Sequence, residues 1–295
     1  MIVDCHTHIW ADPAQLGQGL APFFHRPAEG DALNAQPADH ALSASSVTCT
    51  FVMGYRSRFL NADVPNSYIA DYIASRGQHL IGIAAVDPTD EDAFSQVAEW
   101  LDRPEFRGLV ISPCDQNYHP ADSRAMELYE MAEKRHAVVF IRQGMRYHAK
   151  SHMEYARSIL LDEIAREFPS LTMVITSLGF PWVDETLAML GKHARLFGDI
   201  AGLVRRPWLA YNALATAHQY GVMNKVLFAS GFPLMTAAEA IETVYRLHEV
   251  TQGTNLPTVP REALRMMVER DSLAALGIAR PGDYPPPEND DAEQW

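Results

Sequence analysis

His6 and His8 stand two residues apart in "MIVDCHTHIW", directly after a short apolar run. A strand alternates its side chains, so residues two apart face the same side. Two imidazoles placed this way can converge on one point, and neutral imidazole is a common zinc ligand. Asp4 lies two residues further back. An H-x-H pair is a short motif, and its meaning depends on what the rest of the chain brings to it.

Apolar, β-branched-rich runs recur along the 295 residues and predict strands at 1–5, 47–54, 80–88, 107–113, 137–144, 171–179, 194–202 and 225–233. Amphipathic stretches between them predict helices at 66–77, 90–101, 123–135, 151–168, 182–192, 208–221 and 236–251, and a closing helix at 261–277. A Pro-, Gly- and Ala-rich loop runs from the first strand to about Pro37. Strands alternating with helices mean parallel βαβ units, and continuous apolar strands mean that both sheet faces are covered. Eight such units fit a closed (β/α)8 TIM barrel over residues 1–280 better than an open sheet. The Pro-rich, acidic stretch 281–295 reads as a tail outside it. In such barrels chemistry sits at the C-terminal strand ends.

At those ends the chain resembles a family. D-C-H-T-H looks like the opening motif of the amidohydrolase superfamily. "GIAAVDPTDEDAF", "EFRGLVISP", "LYEMAEKRHAVVFIRQG", "FPSLTMVITSLGFPWVDETL" and "KVLFASGFP" look like its amidohydrolase-2 branch, which includes aminocarboxymuconate-semialdehyde decarboxylase. The likeness runs in order from residue 1 to about 277 and implies a TIM barrel and a hydrolase or decarboxylase. It also implies metal-site positions that this chain fills differently. The fifth strand carries Arg142 in "IRQG" in place of a histidine, the sixth carries Ser177 in "TSLG" in place of a histidine, and the eighth carries Gly231 in "ASGFP" in place of an aspartate. The fourth strand has Val110 where a polar residue is common.

With those positions changed, two imidazoles fall short of the three or four protein ligands of a usual zinc site. Arg142 would also bring a permanent positive charge to the place of a cation. No cofactor is therefore expected; a divalent metal, zinc or manganese on His6 and His8, is the minor alternative. One reading makes Arg142 a two-pronged receptor for a substrate carboxylate, with His6 and His8 as donors or general base beside it. Asp87, Ser177 and Asp199, near other strand ends, then face the same cavity as substrate-binding residues. The other reading pairs Arg142 with Asp4 or another acid and plugs an old site. At the level of the whole protein the alternatives are a metal-independent enzyme acting on a small carboxylate and a catalytically inactive pseudoenzyme serving as a binding or scaffold subunit.

The formal net charge of -13 repels phosphate backbones and anionic lipid, which disfavours nucleic-acid and membrane partners. No apolar run approaches a membrane span, and no signal-peptide pattern opens the chain. Cys5, Cys49 and Cys114 show no disulfide spacing and read as buried thiols, which fits a cytoplasmic setting. A homodimer is a reasonable expectation for the family. His148 and His152 read as surface histidines on one helix face, and the arginines of "YRSR" and "VRRPW" as loop charges on the rim. Ser230 lacks a G-x-S-x-G elbow, and no phosphate-binding glycine motif follows any strand.

Overall fold

A computed structural model describes residues 1–20, 34–77, 79–142 and 147–280. The tail 281–295 with Trp295 and much of the first long loop lie outside the described residues. Strands β1 (Val3–His8), β2 (Cys49–Met53), β3 (Tyr55–Ser57), β4 (Ala62–Val64), β5 (Leu80–Ala85), β6 (Phe106–Ile111), β7 (Val138–Ile141), β8 (Met173–Ile175), β9 (Leu196–Asp199) and β10 (Val226–Leu227) are joined by eleven described helices. These are α1 (Pro37–Ala44), α2 (Asn66–Arg76), α3 (Ala93–Leu101), α4 (Pro113–Gln116), α5 (Ser123–Lys134), α6 (Asp162–Glu167), α7 (Val183–Lys192), α8 (Pro207–Gln219), α9 (Ala237–Arg246), α10 (Arg261–Glu269) and α11 (Ser272–Leu276).

Eight strands pair in parallel in the order β1-β2-β5-β6-β7-β8-β9-β10. The seam between last and first is closed by Cys5 N–H to Phe228 O (3.0 Å), Gly231 N–H to His6 O (3.0 Å) and His8 N–H to Phe232 O (2.9 Å). The result is the (β/α)8 barrel. Its interior is packed by alternate residues, among them Phe51, Phe140, Val174 and Phe197. Leu273 and Leu276 of α11 close the floor. The intervening residues, such as Val52, Leu109 and Ile141, pack outward against the helices. No described helix is long and apolar enough to cross a membrane. All three cysteines are buried and free.

Several elements differ from the sequence pattern, each for a non-local reason. The expected helix 151–168 is two 3-10 turns, Met153–Ala156 and Ser158–Leu161, before α6. Arg157 is extended there (ψ 128°) because its guanidinium reaches Glu185 and the buried Ser158 hydroxyl pairs with Thr186 at 2.6 Å. His148 and His152 therefore do not share a helix face. The helix 261–277 breaks at Arg270, whose guanidinium donates to the carbonyls of Asn224 and Val226, while Asp271 caps α11 by accepting from Ala274 N–H. The hairpin β3–β4, which the sequence pattern does not show, follows β2. It holds Arg56, whose Nε donates to Asp90 at 2.5 Å, so this rim charge is structurally engaged.

Candidate functional site

The first strand delivers its histidines by way of a bulge. Val3 and Cys5 belong to the barrel interior. Strict alternation from them would turn His6 and His8 outward. Between Asp4 and Thr7, however, the register shifts: Asp4 pairs with Thr50 and Thr7 with Val52, so β1 carries one extra residue. The parity is reversed beyond it, and His8 pairs with the inward-facing Met53. The imidazoles then meet inside the mouth, with His6 Nε2 and His8 Nε2 3.0 Å apart.

Hydrogen placement follows from the partners. His8 Nδ1 lies 3.1 Å from the Met53 carbonyl, which can only accept, so Nδ1 carries a hydrogen. Burial, then the positive charges of His6 and Arg142, hold His8 well below its ordinary value, so it is neutral and its Nε2 is an acceptor. His6 Nε2 must then be the donor. His6 Nδ1 also donates, to Asp199 Oδ2 at 2.9 Å. Donor and acceptor counting therefore gives His6 two hydrogens and puts one of them between the two rings.

Asp199, at the end of β9, is fully buried. Besides His6 it accepts from the backbone N–H of Ser177 (2.7 Å) and of Ala201 (2.9 Å) through Oδ1. Ser177 reaches it in a left-handed conformation (φ 53°), followed by Leu178 at φ 44°. Such backbone persists only where surrounding contacts enforce it. Ser177 thus joins the site through its main chain.

Arg142 follows β7 and sits beside this pair. Its Nη1 bonds Asp115 Oδ2 at 3.0 Å, and its guanidinium stacks 4.3 Å from the Tyr55 ring centroid. Asp115 also accepts from Tyr55 Oη (3.3 Å), Ser112 Oγ (3.3 Å) and Ser151 Oγ (3.0 Å). The acid beside Arg142 is thus Asp115. Neither Asp115 nor Tyr55 is among the residues expected from sequence. The available signal was a carboxylate directly after the fourth barrel strand in "ISPCDQ", and Tyr55 gave none before the hairpin was known. Asp87 is not brought to the histidines. Its Oδ2 accepts from Arg58 N–H, and its Oδ1 from the N–H and hydroxyl of Thr89, so it ties together the loop after β5.

Asp4 falls on the other side of the bulge. Its Oδ1 accepts from Ser230 N–H at 2.9 Å and His6 N–H at 3.4 Å. Burial pushes its carboxyl up from 3.8 to about 6, against the pull of the Ser230 and His6 donors. The folded protein therefore holds this proton more tightly than the unfolded chain. The resulting stability is complete below the unfolded value and is lost as pH rises through about 6. Asp4→Asn keeps a neutral oxygen acceptor at every pH. Its stability relative to the parent should grow between pH 4 and 7, by up to about 3 kcal/mol. Denaturant midpoints of both proteins across that range check this, and parallel curves would contradict it.

A divalent ion would use the two facing Nε2 atoms, but it needs further ligands. Among the described residues no group of three or more His, Cys, Asp and Glu is arranged to hold one. The other relevant strand ends present a guanidinium at Arg142, a main-chain donor at Ser177 and no side chain at Gly231. The described donors do not fit a metal ion. They fit a proton, which bridges two nitrogens at 3.0 Å without further ligands.

The profile of the amidohydrolase-2 family, described as amidohydrolase, matches residues 3–269. No curated protein matches the chain. Among solved structures, an uncharacterized TIM-barrel protein from Bordetella bronchiseptica is 18% identical with a TM-score of 0.68, covering 94% of this chain and 99% of that one. The 5-carboxyvanillate decarboxylase LigW from Sphingomonas paucimobilis is 13% identical with a TM-score of 0.62 and the same coverage of 94% and 99%. A probable 2-pyrone-4,6-dicarboxylic acid hydrolase from Acinetobacter baumannii, solved with citric acid bound, is 14% identical with a TM-score of 0.60, again over 94% and 99%. At these identities the likeness establishes the barrel.

Proposed function

The chain belongs to the amidohydrolase-2 family, and from that premise we propose that it is a metal-independent hydrolase or decarboxylase of a small carboxylate, using His6, His8 and Arg142. The observation that carries this reading is the 3.0 Å approach of His6 Nε2 to His8 Nε2, with the buried Asp199 2.9 Å from His6 Nδ1. An inactive scaffold has no use for so fully bonded a pair at the barrel mouth. The neighbours named for a carboxyvanillate and a pyrone dicarboxylic acid support the substrate class.

Both reactions turn on placed protons: hydrolysis takes one from water and gives one to the leaving group, and decarboxylation gives one to carbon. In hydrolysis His8 Nε2 accepts a proton from the attacking water as its oxygen bonds to the carbonyl carbon, and His6 donates the bridging proton to the leaving oxygen or nitrogen as its bond to that carbon breaks. In decarboxylation the bridging proton goes to the carbon that CO2 leaves. Arg142 holds a carboxylate by its planar fork, with Asp115 and Tyr55 fixing the guanidinium plane. Asp199 is a positioning residue that keeps His6 in its doubly protonated form.

Assay of lactones, amides and aromatic acids tests this, with chelator-treated protein and His8→Ala as controls. Turnover that survives chelation and disappears in His8→Ala is expected. Stoichiometric zinc or manganese with chelator-sensitive turnover would overturn the proposal. Arg142→Lys retains the charge opposite Asp115 but loses the fork. It should raise KM for a carboxylate substrate by about 10- to 100-fold with a smaller change in kcat, as loss of a charge-assisted hydrogen bond implies. Steady-state kinetics check that split, and an unchanged KM would remove Arg142 from substrate binding.

A further inference from the structure

Thr7, the residue between the two histidines, points the other way. Its register partner Val52 belongs to the layer that faces the helices. Thr7 Oγ1 donates to the Phe51 carbonyl at 2.6 Å. Phe51 is the single β2 residue that lies opposite the two residues Cys5 and His6 at the bulge. The Thr7 hydroxyl therefore adds a side-chain hydrogen bond across the two strands at the bulge itself.

A hydroxyl has one hydrogen, so His40 Nε2, 2.8 Å from Thr7 Oγ1, must be donating to it. His40 Nδ1 is then an acceptor, and the Tyr72 hydroxyl lies 2.8 Å from it. The chain of donors is closed and has one direction: Tyr72 to His40, His40 to Thr7, Thr7 to Phe51. Burial, with His79 a smaller contribution, holds His40 down to about 4, in keeping with a neutral ring. His40 on α1 and Tyr72 on α2 are 1% and 3% exposed. The His40 ring also stands edge-on to Phe232, with centroids 5.2 Å apart. Phe232 is the residue whose carbonyl accepts from His8 N–H across the seam. A buried polar network of this kind is costly unless every member is paired, and here every member is paired.

We propose that His40 is a positioning residue for the His6–His8 pair: through Thr7 it holds the one-residue bulge that turns both imidazoles into the barrel. His40 touches no reacting atom. It acts by fixing which way the strand faces. The kinetic part rests on the catalytic reading of the pair, whereas the structural part does not.

Ring-nitrogen NMR of the full chain tests it, with His6→Ala and His8→Ala used to assign signals. The parent should show His6 with both nitrogens protonated and His8 protonated at Nδ1. His40→Phe and Thr7→Val should lose that pattern while unfolding stays cooperative, and Thr7→Ser should restore it. Tyr72→Phe should leave the pair in place and alter only the His40 ring signals. Once a substrate is found, Thr7→Val should lower kcat by about 10- to 100-fold, the range seen for partners one shell behind a reacting side chain. KM should change little. An unchanged His6–His8 pattern in both His40→Phe and Thr7→Val would overturn the proposal. Should His40→Phe fail to fold, the near-isosteric Thr7→Val decides alone. Loss of the pattern in a protein that turns over none of the tested compounds would uphold His40's role and count against the catalytic reading instead.

Discussion

Asp199→Asn should cut turnover by about two to four orders of magnitude while the barrel stays folded. The new amide would keep one oxygen to accept from the N–H groups of Ser177 and Ala201, as Asp199 Oδ1 does now. Its other arm would be an N–H2 group facing His6 Nδ1, where Oδ2 now accepts at 2.9 Å. His6 would then turn Nδ1 into an acceptor and retain only the hydrogen on Nε2. The rings would still meet and the bridging hydrogen would stay, but on a neutral imidazole, whose N–H is far too weak an acid to give it up, so the acid the reaction needs would be lost. The same tautomer logic explains why an aspartate-to-asparagine change disables a serine protease triad with its geometry intact. The cost in stability should be only about 1–3 kcal/mol, the worth of hydrogen bonds to a charged group. Kinetics with ring-nitrogen spectra make the check. Full activity with a singly protonated His6 would refute the proton-store mechanism.

Gly231→Asp would put back the carboxylate that the family resemblance places on the eighth strand, and it should fail to build a metal site. Gly231 has φ +68°, a region most side chains avoid. A Cβ there would lie 3.0 Å from Gly202 N and 3.3 Å from Ala201 Cβ. Gly231 N–H also donates to His6 O and so holds the seam beside the histidine pair. Backbone strain and overpacking together should cost about 2–5 kcal/mol, a fall in Tm of roughly 5–15 °C for a domain of this size. Gly231→Ala should show most of the same loss, since the conflict begins at Cβ. Thermal melts and metal analysis of both variants give the test. An Asp variant as stable as the parent that binds zinc stoichiometrically would mean that the loop adapts more easily than its geometry indicates.

Much of the fold is legible in local pattern. The apolar runs at 80–88 and 107–113 form β5 and β6 because a parallel strand buried on both faces needs little beyond continuous hydrophobicity. Helix 66–77 ends at Gly77, as its spacing implies, with the glycine at φ +94°. Local pattern fails where a distant residue overrides periodicity, as at Arg157 and Arg270. At the site, His6, His8, Ser177 and Asp199 are all identifiable from sequence and do come together. Asp87 satisfies the same strand-end rule and is committed to its own loop. Asp115 escapes that rule because it lies in the turn after the strand, beyond Val110.

The order of residues alone was sufficient for the barrel and the family. These are matters of residue type and period, which short stretches of chain carry by themselves. The direction in which "DCHTH" faces is not such a matter. A one-residue bulge reverses it, and the bulge depends on Phe51, His40 and Phe232, contributed by other elements. The hydrogen between His6 and His8 depends in the same way on the Met53 carbonyl and on Asp199, 193 positions from His6. Facing and protonation are set by partners remote in sequence, so only the assembled barrel could decide them.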